Sequence, residues 1–85
     1  MDLLILYCII TIMKYSELGK FIKYKRMQTG LSLNKFAIEA EIDSAILSRI
    51  ENLKQGIKIS ILYNIANALN TTPAKLLEEF EKYNN

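Results

Sequence analysis

The hydrophobic pattern of the chain changes character near residue 16. Before that point, Leu3 to Met13 reads LLILYCIITIM, apolar at every position but Thr11, rich in β-branched residues and without a helical period. Beyond it, apolar residues recur at the spacing of one helix face. Leu18, Phe21 and Ile22, continued by Lys25 and Arg26, follow the i, i+3, i+4, i+7 template. Ser16 suits the N-cap of this first helix, Glu17 its first turn, and Gly30 its C′ stop. Ser32 then caps a second helix with Phe36, Ala37 and Ala40 inward, and Asp43 caps a third with Leu47 and Ile50 inward. Leu53 to Ile57 forms a loop around Gly56. A fourth helix is expected from Ile59 to Leu69, with Leu62, Ile65, Ala66 and Leu69 on one stripe. Asn70-Thr71 breaks it. Thr72 as N-cap with Pro73 at the first helical position opens a fifth helix, whose stripe is Leu76, Leu77 and Phe80. Five helices with short connections predict a compact all-α domain over residues 14–80, with an apolar leader at 1–13 and a short tail at 81–85.

The leader is too short for a transmembrane helix, which needs about 20 residues. It has no basic segment before it and no small-residue cleavage site after it, so it does not have the form of a secretory signal. Three readings are open: a start site assigned too early, with Met13 the true start; a strand pairing with a second copy; or a strap over the core. The first is preferred, because Met13-Lys14 opens an ordinary soluble sequence. With no membrane segment expected, no basic amphipathic face in the leader and one cysteine (Cys8), a reducing, cytoplasmic setting is the simplest fit.

Composition narrows the chemistry. The 85 residues are enough for one modest core, and 51% hydrophobic content is too high for a disordered chain. With no histidine and a lone cysteine, neither a disulfide framework nor a Cys/His zinc site is available, and no metal or cofactor is expected. No glycine-rich phosphate loop is present, and the paired acids Glu78-Glu79 lie on a solvated helix face, so an enzyme is the poorest reading. The net charge of +2 is uneven. Residues 14–58 hold nine Lys/Arg against five acids, a net +4, whereas residues 59–85 hold two lysines against three glutamates, a net −1. A basic middle suits a polyanion on one face. The five tyrosines are scattered, not interleaved with this basic cluster as a base-stacking platform requires.

The segment Leu31 to Asn52, LSLNKFAIEAEIDSAILSRIEN, therefore reads as two short capped helices joined by a tight turn, the second of a size that fits the DNA major groove. Together with Arg26, Gly30-Leu31-Ser32, Phe36-Ala37, Ile42-Asp43, Leu47-Ser48, Ile50-Glu51-Asn52, Ile65-Ala66, Ala68-Leu69 and Leu76-Leu77, it resembles the Cro/C1-type (Xre-type) helix-turn-helix family, which includes the lambdoid phage repressors. The resemblance covers roughly Leu18 to Leu77 and runs from Arg26 to Ala66 without a gap.

That resemblance implies a lambda-repressor-like DNA-binding domain of five helices that acts as a sequence-specific transcriptional regulator, a repressor above all. It implies a structural ion pair between Arg26 and Glu51. It places Ser44, Ala45, Ser48 and Arg49 on the recognition helix, 44–52, as base readers, with Arg49 the strongest because arginine binds guanine O6 and N7 through two hydrogen bonds. Ser32 and Asn52 fall at helix ends that approach phosphates, and Lys54 and Lys58 supply further charge to the same backbone. The partners implied are a double-stranded operator and a second copy of the chain, with the late loop, the fifth helix (Leu76, Phe80, Tyr83) or the leader as dimer surface. Three positions depart from the family pattern. Leu33 stands where glutamine is common. Glu41 occupies the inter-helix turn where glycine is common. Leu53 follows Asn52 where glycine often ends the recognition helix, so Asn52 is expected to take the left-handed cap, or the helix to run on toward Gly56. The rival reading is a protein-interaction module on the same fold, an antitoxin or anti-repressor, which Leu33 and Ile46 on the contact face and the apolar leader would suit.

Overall fold

Residues 17–83 are described by the structure, a computed structural model. Within them the backbone forms five helices: α1 (residues 17–29), α2 (Leu33–Glu39), α3 (Ser44–Glu51), α4 (Ile59–Ala68) and α5 (Pro73–Tyr83). The cap of α1 expected at Ser16 and the whole apolar leader lie outside the described residues.

The helix starts follow the local chemistry of their caps. Ser32 Oγ accepts a hydrogen bond from the Lys35 N–H at 3.2 Å, Asp43 Oδ1 from the Ala45 N–H at 2.7 Å, and Thr72 Oγ1 from the Lys75 N–H at 3.2 Å. Each satisfies one of the donors that a helix start leaves unpaired. At α4 the N-cap is Lys58, which has no side chain able to accept, and no side-chain cap forms there.

The helix stops share one device. Gly30, Glu41, Leu53 and Asn70 all have positive φ, at 79°, 56°, 63° and 57°. After α2, α3 and α4 the residue at this position and the next one donate back to carbonyls of the last turn. For α3 these bonds are Leu53 N–H to Ile50 O at 3.2 Å and Lys54 N–H to Arg49 O at 2.7 Å. This is the Schellman arrangement. The cap of α3 therefore differs from both expectations. Asn52 keeps φ at −95°, the helix stops at Glu51, and Leu53 itself takes the left-handed conformation. The cost to a non-glycine residue there is about 1 kcal/mol. Leu53 is half-buried and its side chain packs beside Gly19 of α1, contact that a glycine at 53 would forgo.

The core takes residues from every helix: Leu18, Phe21 and Ile22; Phe36, Ala37 and Ala40; Leu47 and Ile50; Leu62, Ile65 and Ala66; Leu76 and Phe80. Leu69 and Leu77 are partly buried against it. Leu33, a departure from the family pattern, also packs against this core. Lys25 and Arg26 continue the apolar stripe of α1, and each resolves that position with an ion pair. Lys25 Nζ reaches Glu79 of α5 at 2.8 Å, while Arg26 reaches Glu51. Helix α5 runs past the boundary expected at residue 80, to Tyr83. There Tyr83 packs on Phe21 and Tyr24 of α1, with both ring centroids at 5.2 Å, and these contacts hold the last turn.

Candidate nucleic-acid interface

Helix α3 is placed by its far end. At Gly19 the backbone of α1 passes so close to that end that a Cβ there would lie 2.3 Å from the Ile50 carbonyl oxygen. Two turns further along the same face of α1, Arg26 grips the next residue of α3. Its Nε donates to Glu51 Oε2 at 2.7 Å and its Nη2 to Oε1 at 2.9 Å, a bidentate pair, while Nη1 donates to the Leu31 carbonyl oxygen at 3.0 Å. The Glu51 side chain is only 2% exposed, and all its charge is met by this one guanidinium. The Arg26 pKa is raised above the ordinary arginine value, first by the hydrogen bond to Glu51 and further by its charge, against the opposing effect of burial. The expected ion pair is thus present. The Leu31 bond adds the start of the helix-turn-helix to the same clamp.

The opposite face of α3 carries the residues expected to meet DNA. Ala45 and Arg49 are exposed; Ser44 and Ser48 are half-buried, with Leu47 and Ile50 turned to the core. An open groove of about 460 Å³ lies at the C-terminal end of this face, lined by Ser48, Arg49, Asn52 and Lys54. Four of the eight residues expected to contact DNA therefore meet at one concavity, which has two cations and no acid in its lining. Ser32 and Lys58 lie elsewhere, at the N-caps of α2 and α4, and Ser44 and Ala45 at the first turn of α3.

Hydrogen bonds within the groove decide what its side chains still offer. Asn52 Nδ2 donates to Ser48 O at 2.8 Å and to Ser48 Oγ at 3.3 Å, so this amide caps the last turn of α3 and must leave Ser48 to reach a phosphate. Because Ser48 Oγ accepts here, its hydroxyl hydrogen is left for an outside acceptor. Arg49 Nε donates to Gln55 Oε1 at 2.6 Å. Ser32 Oγ accepts from its own helix and likewise keeps a hydrogen to donate.

Two residues of this region escaped the sequence reading. Gly19 sits inside a helical pattern, where glycine costs about 1 kcal/mol against alanine, and such a residue signals a close approach of another backbone. Gln55 lies in a loop, where no periodicity marks it.

Comparison with known proteins agrees with this geometry. A family model described as "Helix-turn-helix" matches residues 22–76. No curated protein matches the chain. Among solved structures, the clp gene regulator ClgR from Corynebacterium glutamicum matches with a TM-score of 0.69 at 21% identity, over 82% of this chain and 73% of that one. At that identity the likeness establishes the fold. No helix among the described residues is long and apolar enough to cross a membrane.

Proposed function

The chain belongs to the Cro/C1-type helix-turn-helix family of DNA-binding transcriptional regulators, and on that premise we propose that it is a sequence-specific repressor that reads the major groove of double-stranded DNA with α3. The observation that carries this reading is the groove at the end of α3. It gathers Arg49, Lys54, Ser48 and Asn52 on the face opposite the core, without an acid among them. An α-helix with its side chains is about 10–12 Å across, which fits the major groove's width of about 12 Å. In this reading Ser44, Ala45, Ser48 and Arg49 face bases. Ser32, Asn52, Lys54 and Lys58 face phosphates, with the N-terminus of α2 beside Ser32. The protein acts as a homodimer on a pseudo-palindromic operator with half-sites about 34 Å apart.

The rival interaction-module reading rests on Leu33 and Ile46 as an apolar contact face and on the apolar leader, which lies outside the described residues. Leu33 is partly buried and packed against the core, which withdraws it from such a face, while Ile46 is half-buried like Ser44 and Ser48. The family match and a groove that holds Arg49 and Lys54 without an acid favour DNA binding as the use of this face.

Selection of bound sequences from a random DNA pool, with the native protein and with Arg49→Ala, tests the proposal. A palindrome enriched by the native chain and relaxed at one symmetric position by Arg49→Ala is the expected result. Affinity for the enriched site should fall steeply with salt, since each phosphate contact releases about 0.9 counterion. No enrichment, or affinity flat with salt, would reject the reading.

A further inference from the structure

Gln55 touches the main candidate base reader, and neither the family pattern nor the helix periodicity assigns it a role. We propose that Gln55 is a specificity-determining positioning residue, which holds the guanidinium of Arg49 so that its outer edge alone meets a guanine. This inference rests on the DNA-binding reading above.

An arginine has two edges that donate paired hydrogen bonds, the Nε–Nη2 edge and the Nη1–Nη2 edge. Arg26 spends the first on the Glu51 carboxylate. At Arg49 that edge is blocked, because Nε is given to the amide oxygen of Gln55 at 2.6 Å. The outer edge remains, and its two parallel N–H groups fit O6 and N7 of guanine. The acceptor is a neutral amide, so the full positive charge of Arg49 stays available to DNA. A carboxylate in its place would neutralise part of that charge. The tether is itself anchored. The Lys54 N–H donates to the Arg49 carbonyl oxygen at 2.7 Å, which fixes the loop carrying Gln55 to the residue whose side chain it holds. Ser48, beside Arg49 in the groove, also has a hydrogen to donate. The end of α3 thus presents donors, and guanine is the base that presents two acceptors and no donor in the major groove.

The test is pool selection by the full chain as the native protein and as Arg49→Ala, Gln55→Ala and Gln55→Glu. Alongside it, the Arg49 Nε–H signal is followed by NMR in the free protein. The native protein should enrich a guanine at a position that Arg49→Ala relaxes. Gln55→Ala should weaken preference at that same position by about three- to tenfold, the worth of one net hydrogen bond, and leave other positions and the salt slope unchanged. Gln55→Glu, which retains an acceptor, should keep the guanine preference while lowering affinity throughout. In the free protein, Gln55→Ala should shift the Arg49 Nε–H signal and speed its exchange with water. An unchanged guanine preference in Gln55→Ala, or relaxation at a different position, would overturn the proposal and leave the DNA-binding reading standing. An Nε–H signal unmoved by Gln55→Ala would overturn it without reference to DNA. A native protein that enriches nothing would remove both.

Discussion

Replacing Gly19 by alanine adds one methyl group to the interior of α1, a change that stabilises an ordinary exposed helix by about 1 kcal/mol. Here the opposite sign is expected. The new Cβ would lie 2.3 Å from Ile50 O, 3.1 Å from Leu53 Cδ2 and 3.3 Å from the Ile50 carbonyl carbon, where ordinary contact begins at 3.4 Å. Relief requires α1 and the end of α3 to separate by about 1 Å, a large strain in a close-packed interior. The leucine side chain can turn aside. The carbonyl belongs to the last turn of α3, which the Leu53 and Lys54 N–H groups and the Arg26 clamp hold in place. Overpacking of this kind costs about 1–3 kcal/mol, and a backbone obstacle puts it at the upper end. Net of the propensity gain, Gly19→Ala should destabilise the domain by about 1–2 kcal/mol, which lowers Tm by about 4–16 °C in a chain of this size. Urea titration and thermal melting by circular dichroism measure it directly. Gly56→Ala is the control. Nothing lies within 4 Å of its Cβ and its φ is not positive, so it should be neutral or stabilising by up to about 1 kcal/mol. Gly19→Ala at or above native stability would refute the backbone contact.

Two further predictions concern the clamp and the helix that lacks a cap. Arg26→Met leaves the Glu51 carboxylate buried with no cation and should cost about 3–5 kcal/mol in urea unfolding, most of it recovered when Glu51→Leu is added. The raised Arg26 pKa means that its contribution is complete below the ordinary arginine value and is lost only as pH rises through the higher folded value. The stability difference between the native protein and the Arg26→Met/Glu51→Leu double variant, which lacks both charges, should therefore stay flat from neutral pH to about pH 10, and a decline in that window would contradict the assignment. Lys58→Ser supplies the missing cap of α4 and removes a cation from the positive end of a helix, so it should raise stability by about 1 kcal/mol. In the same variant, affinity for the selected DNA should drop and the salt slope should shrink by about 0.9. An unchanged slope would exclude Lys58 from the phosphate contacts.

The elements legible in the sequence are those fixed by local chemistry. Ser32, Asp43 and Thr72 announce helix starts because a cap is a bond between near neighbours in the chain, and all three bonds form. The inward stripes follow from a 3.6-residue period, which is also local. Arg26 and Glu51, 25 residues apart, were paired only through the family resemblance; nothing in their own neighbourhoods links them. The cap at Leu53 departs from local preference for a related reason. Local preference favours Asn52 for a left-handed cap, but the choice was made by the space next to Gly19, which lies 34 positions away in the chain. Gln55 was missed because its only distinguishing property is a bond to Arg49, six residues earlier, across a loop of no period.

These non-local features converge on one place. Gly19, Arg26, Leu53 and Gln55 each act on the last turn of α3 or on the loop that leaves it. The C-terminal end of α3 is consequently held by contacts from distant parts of the chain, while its N-terminal end is set by neighbours in sequence, the Asp43 cap and Ile42, whose N–H bonds the Ala37 carbonyl oxygen and whose side chain packs on the core. A reader at the constrained end keeps its geometry before DNA arrives, and base discrimination depends on such pre-ordering, since an arginine ordered only on binding loses part of its bond energy to side-chain entropy. This accounts for why Arg49, and not Ser44 or Ala45, is the position at which selectivity should concentrate. It also assigns a function to the strained cap at Leu53: the tight stop there brings residue 55 back within reach of residue 49, and a helix running on toward Gly56 would carry the glutamine past it.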